Sequence, residues 1–307
     1  MKIRANGLDI KVEDSAMGGD GRADAAHAKR PVVLLVMGLG MQLIAWPPYF
    51  VQPLLDAGYR VIRLDNRDIG LSSHLDHLGK PNLVLATLKL KLGFTPKAPY
   101  SLADMAADAL GVLDALNIDK AHVVGVSMGG MIAQRIAIAA PQRVLSLTSI
   151  MSSSGAKGLP SAKPAVLKVL LGRPTSAAPE AVVTHYLKLF RAIGSPGFPM
   201  PEAMMRERIL DGVKRSFHPV GTLRQMLAIV SDITRPAQLS RISSPTLVLH
   251  GKADPLVPYA CGEDTAKRIK GAKLVGIEGM GHDLPPQPVA QMLTELLPYL
   301  KAHDEHA

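Results

Sequence analysis

The chain has 307 residues, 47% hydrophobic and 20% charged, a balance that excludes disorder for its body and suits one α/β domain carrying an insertion. Its single cysteine, Cys261, excludes an internal disulfide. No apolar segment near the N-terminus resembles a secretion signal and no apolar run reaches the ~20 residues of a bilayer span, so a cytoplasmic protein is expected.

Lys and Arg (35) outnumber Asp and Glu (26), for a net charge of +9. The excess is local: 12 basic and 5 acidic residues lie between Ser152 and Arg235. No zinc-finger, RNP or helix-turn-helix pattern accompanies them, so no nucleic-acid partner is expected.

In chain order, Met1 to Val12 alternates around Asn6-Gly7, which predicts a two-strand hairpin closed by a type I′ turn. A polar Gly/Asp/Ala-rich loop follows, to about Arg30. Compact apolar runs then recur at 31–38, 59–65, 120–127, 143–150, 245–251 and 272–279. Their β-branched, unalternating character predicts strands buried on both faces, hence a parallel sheet. Helical patterns separate them at about Pro48–Ala57, Leu102–Leu116, Met128–Ala139, Cys261–Ile269 and Val289–Lys301, the β-then-α rhythm of an α/β fold. Two stretches break that rhythm. Residues 152–235 hold no strand-like run and predict a helical cap inserted into a core of 1–151 and 236–307. The leucine-rich connection at 75–99 is long for an α/β unit and predicts a second flap. The tail from Lys301 to Ala307 is expected to fray.

The chemistry concentrates in Gly125-Val126-Ser127-Met128-Gly129. An ordinary glycine-rich turn would also match this short pattern. Here it joins an apolar run to a helical one, and a serine on so sharp a turn presents its Oγ at a helix N-terminus. A hydroxyl becomes a nucleophile at neutral pH only when a histidine takes its proton and a carboxylate orients that histidine. The expected chain order Ser, acid, His selects His282, in Gly279-Met280-Gly281-His282-Asp283, and Asp254, directly after the run at 245–251. Glu263 and Asp264 are rival acids but fall inside the next helix; Asp283 stands too close to His282 in sequence to orient it easily. Two backbone donors for a developing oxyanion are expected at the Met128 and Leu39 N–H groups, the latter in the turn Met37-Gly38-Leu39-Gly40. A dinucleotide fingerprint there would need glycine at 43, where the sequence has Leu43.

These motifs resemble those of α/β-hydrolase-fold serine esterases. MGLG stands where that family often has His-Gly, with Met37 in place of the histidine. DNRDIGLSS at 65–73 resembles D-x-R-G-x-G-x-S, with Asp68 in place of a glycine, and GVSMGG, HGKADP and GMGHD complete the pattern. Within the family the combination is most similar to aclacinomycin methylesterase-like carboxylesterases. The resemblance covers about 31–150 and 236–300 and implies a mostly parallel eight-stranded sheet flanked by helices. It implies hydrolysis of a small-molecule carboxylic ester by Ser127, Asp254 and His282 through an acyl-enzyme, with no cofactor and no metal. Carbon–carbon bond hydrolases, amidases and cofactor-free perhydrolases use the same triad and stay open as alternatives, as does a noncatalytic small-molecule receptor; oligomeric state is not legible. Asp65 and Arg67 are expected to form a structural turn pair and His250 a packed imidazole. His185 and His218 show no metal-ligand spacing. Met200, Met204, Met205 and Met226 with Phe190, Phe198 and Phe217 would line an acyl pocket or pack the cap.

Overall fold

The computed structural model describes residues 1–18 and 24–304. Asn6 and Gly7 both adopt positive φ (47° and 77°), as a type I′ turn requires, and join β1 (Lys2–Ala5) to β2 (Leu8–Asp14). The apolar runs become β3 (Val32–Val36), β4 (Arg60–Leu64), β5 (Ala121–Val126), β6 (Val144–Ile150), β7 (Thr246–Gly251) and β8 (Lys273–Ile277). They form one eight-stranded sheet in the order β1-β2-β4-β3-β5-β6-β7-β8. β2 pairs antiparallel with β1 and β4, and every later pairing is parallel.

Every residue of β3, β5 and β7 is buried, because the sheet is covered on both faces. Leu34, Val36 and Val123 point into one core with the helices Leu102–Ala115 and Met128–Ala139. Val33, Leu35 and Val124 point into the other, with Pro48–Asp56 and Pro286–Lys301. The chain leaves β3 toward β4 on one side and returns to β5 on the other, so a crevice opens between the carboxyl ends of β3 and β5, where open α/β sheets place their ligands.

Between β6 and β7 the longer elements are the helices Pro164–Leu170, Pro179–Ile193, Glu202–Arg215 and Pro219–Ser231. They carry small apolar clusters of their own, and Phe190 and Met205 pack there. Ion pairs fasten them to the core. Arg224 forks onto Asp68 (2.8 and 2.8 Å), both side chains fully buried, and Arg215 reaches Asp65 at 2.8 Å. The expected Asp65–Arg67 turn pair is therefore not formed. Arg67 instead forks onto Asp108 (2.6 and 2.6 Å), and Asp65 accepts from the Leu43 and Leu71 amides besides Arg215. The two side chains leave the turn in different directions because each finds a buried partner.

The connection at 75–99 contains a short turn of helix at Asp76–Leu78 and the helix Leu83–Lys91, which packs against Pro219–Ser231. The tail is not frayed as far as Asp304: its carboxylate meets His122 Nε2 at 2.8 Å and accepts from the Tyr59 hydroxyl at 3.2 Å, pinning the chain end under the sheet. The last three residues, and part of the polar loop before Arg30, lie outside the described residues. Among the described residues no helix is long and apolar enough to cross a membrane.

Candidate active site

Ser127 follows β5 and precedes the helix Met128–Ala139 with φ +56°, ψ −119°, a strained conformation for a residue with a side chain. Glycines make this turn possible. A Cβ at Gly125 would lie 2.1 Å from the Gly129 carbonyl oxygen, and one at Gly129 would lie 2.0 Å from that of Val36.

The loop after β8 brings His282 to this turn, with Nε2 3.0 Å from Ser127 Oγ. The loop after β7 brings Asp254, whose Oδ2 lies 2.6 Å from His282 Nδ1. With Nδ1–H donating to the carboxylate, Nε2 is left to accept the serine proton. Asp254 Oδ1 is in turn fixed by the amides of Leu256 (2.9 Å) and Val257 (2.8 Å). All three sequence-predicted side chains thus converge on one hydrogen-bonded line.

The rival acids are elsewhere. Asp264 sits in the helix Tyr259–Arg268, bonded to Arg268 and Ser154, and Glu263 is exposed on the same helix. Asp283 turns away from the imidazole and accepts from the Ser195 hydroxyl. Burial pushes its carboxyl above the ordinary range, only partly offset by hydrogen bonds from Ser195. His250 is fully buried with Nε2 donating to the Val257 carbonyl at 2.7 Å, and desolvation lowers its pKa, so it is a neutral, packed imidazole behind Asp254.

The expected oxyanion donors belong to the residue after Ser127 and to the turn Met37–Gly40. Met128 opens the helix, where amides lack intrahelical partners. The turn Met37–Gly40 abuts the serine closely enough that a Cβ on Gly38 would stand 3.3 Å from Ser127 Cβ. Asn66 Nδ2 donates to the Met37 carbonyl (2.9 Å), and the Gly40 amide is taken by Gln225 Oε1 (3.0 Å). Both ends of the turn are thereby held, with the Leu39 amide between them.

One set of contacts had no signal in the sequence beyond a loop-forming Ser-Pro-Gly. Residues 193–197, after the helix Pro179–Ile193, form a strap along the histidine loop. Ile193 O accepts from the His282 amide (2.7 Å), Ser195 Oγ from the Gly281 amide (2.9 Å), and Gly279 O from the Gly197 amide (2.9 Å). His218, in turn, bonds the Asp68 carbonyl and Asp76 and stacks on His74, a contact between the inserted helices and the core.

A family profile described as the alpha/beta hydrolase fold matches residues 31–287. Rhodomycin D methylesterase from Streptomyces peucetius is 30% identical over 298 residues, covering 90% of this chain and 92% of its own. A 2-hydroxy-6-oxononadienedioate/2-hydroxy-6-oxononatrienedioate hydrolase from Paraburkholderia xenovorans (strain LB400) is 26% identical over 281 residues, 86% of each chain. Among solved structures, the meta-cleavage product hydrolase of Pseudomonas fluorescens IP01 superposes with a TM-score of 0.73 at 19% identity, covering 99% of this chain and 98% of the other, a likeness of fold.

Proposed function

The chain belongs to the α/β-hydrolase family, and from that premise we propose that it is a serine carboxylesterase acting on a small-molecule ester through an acyl-enzyme. The observation that carries the reading is the continuous line Ser127 Oγ, His282 Nε2, His282 Nδ1, Asp254 Oδ2, with separations of 3.0 and 2.6 Å. Ser127 Oγ attacks the ester carbonyl carbon while His282 Nε2 takes its proton. The carbonyl π bond becomes an oxyanion held by the Leu39 and Met128 amides. Collapse expels the alkoxide, which leaves as the alcohol with the proton from His282. Water, deprotonated by the same imidazole, then hydrolyses the acyl-enzyme and restores Ser127. Every step is supplied by the chain itself, without a cofactor.

The inserted helices at 152–235 are read as a cap over this site, on a core of 1–151 and 236–307. The ester, in preference to a carbon–carbon bond, is favoured by the methylesterase relative; the weaker relative that hydrolyses a 2-hydroxy-6-oxo acid keeps the second chemistry as the alternative. A cytoplasmic setting is supported by the lone, buried, unpaired Cys261. The deciding experiment is an ester panel graded by acyl length, run beside a vinylogous 1,5-diketone acid, with the active serine titrated by a fluorophosphonate. Ester turnover with one equivalent of label on Ser127 is expected. Turnover of the diketone acid alone would select the carbon–carbon reading, and labelling without any turnover would select a receptor.

A further inference from the structure

The connection between Asp76 and Asp104 is left unused by the chemistry above, yet it is the least ordinary surface of the molecule. Its helix Leu83–Lys91 and the turn after it leave Val84 81%, Leu85 48%, Leu88 52%, Leu92 64% and Phe94 64% exposed. At 100° per residue, Val84, Leu85 and Leu88 fall within an arc of about 100°, while the buried Ala86 lies on the opposite side, and Leu92 and Phe94 follow in the turn. The stripe is therefore the outward face of the helix. From residue 77 to 103 the sequence has Lys80, Lys89, Lys91 and Lys97 and no Asp or Glu. Lys80, before the helix, Lys89, on it, and Lys97, after Phe94, are exposed. The root of the segment is anchored: Arg224 Nη1 donates to the Gly79 carbonyl at 2.8 Å, and the helix packs on Pro219–Ser231, whose Gln225 holds the Gly40 amide beside Ser127.

From this surface we infer that the helix Leu83–Lys91 and Phe94 form a docking face for an anionic lipid bilayer, with the apolar stripe in the acyl boundary and the lysines at the headgroups. Exposed apolar side chains on a segment whose charged residues are all lysines can enter the acyl boundary while the lysines meet anionic headgroups. The charge decides against a second copy of the chain as occupant, because a two-fold contact through this face would bring both lysine sets within a Debye length of each other. Area points the same way: the five side chains offer on the order of 500 Å² of apolar surface, and twice that is below the ~1,200 Å² of a stable pairing. A soluble polyanion would satisfy the lysines and leave the leucines in water.

The test is flotation of the full-length protein with vesicles of phosphatidylcholine alone and of phosphatidylcholine mixed with phosphatidylglycerol, at low and high salt. The wild type is expected to float at least about tenfold more with the anionic vesicles, and the preference should shrink as salt rises. Val84→Ser with Leu88→Ser should abolish flotation on both vesicles. Lys80→Gln, Lys89→Gln and Lys97→Gln together should erase the anionic preference. All variants should keep the wild-type circular dichroism and unfolding midpoint, since these side chains contribute little to the core. Unchanged flotation in the serine variant overturns the proposal, as does absence of flotation with either vesicle. So does a concentration-dependent dimer in sedimentation velocity that Val84→Ser dissolves. None of these readouts requires ester hydrolysis, so the proposal stands or falls apart from the function proposed above.

Discussion

At the scale of single residues, the site combines a strained backbone with a relaxed hydrogen-bond line. Ser127 holds φ +56° because its glycine neighbours leave room and the Met128 helix follows at once. Ser127→Ala keeps that backbone and removes only the hydroxyl proposed as the nucleophile. Turnover should fall by about 10⁴-fold or more, with fluorophosphonate labelling lost and the unfolding midpoint unchanged; labelling of a different serine in the variant would refute the assignment. Asp283 offers a separate test, because it is buried beside His282 and its carboxyl is pushed up by desolvation. A raised carboxyl pKa means that the native state holds the proton more tightly than the unfolded chain. The resulting stabilisation is complete below the ordinary carboxylate value of ~3.9 and is lost as pH rises through the elevated native value. Asp283→Asn cannot ionise yet can still accept from Ser195. It should raise stability at neutral pH and make no difference in acid. A stability difference that is the same at every pH in thermal melts would contradict a buried, ionising carboxylate there.

At the scale of elements, the inserted helices are joined to the core by charges that face inward. Asp68 stands at φ +70°, at the position where the D-x-R-G-x-G-x-S pattern it resembles has glycine, and its carboxylate receives Arg224 in a two-point pair with both side chains fully buried. Burial pushes Asp68 up, but the Arg224 hydrogen bonds and the Leu75 amide outweigh it and hold the carboxyl below its ordinary value. Arg224→Met would leave this carboxylate buried and unpaired, at a cost of about 3–5 kcal/mol. Adding Asp68→Gly should recover much of that loss, since glycine suits the backbone and removes the orphaned charge; a double-mutant cycle in urea measures the coupling, and strictly additive losses would count against a direct pair. The strands were legible in the sequence because each is a short apolar run buried on both faces. Ser127 was legible because its glycines are local. His282 and Asp254 followed from strand ends and chain order. What could not be read were bonds between distant residues: Asp65 to Arg215 spans 150 positions and His122 to Asp304 spans 182. Side-chain pairing at such range depends on how layers stack, so local sequence suggested an Asp65–Arg67 pair and a loose tail where the fold makes neither.

At the scale of the whole molecule, the question is what the positive charge of residues 152–235 does. A field from 12 basic residues over a cleft would draw anionic esters. The placement of those residues argues otherwise. Arg215 and Arg224 are spent on Asp65 and Asp68, Arg235 on Asp232 and Gln134, and Arg191 and Arg206 on Glu202 and Glu180, while Arg208 lies over the Tyr49 ring and donates to its hydroxyl. Lys157, Lys163, Lys168, Arg173, Lys188 and Lys214 are exposed, where water and a Debye length of ~8 Å at physiological salt screen them. Charge that is either paired, buried or at the surface, or dispersed in solvent gives little focusing at Ser127. The expected result is that kcat/KM for a neutral ester and for its carboxylate-bearing analogue respond alike, and weakly, to salt between low and high ionic strength. If the anionic analogue alone loses rate as salt rises, some of the exposed lysines face the cleft, and Lys→Gln changes taken one at a time along 157–214 would identify them by the loss of that slope.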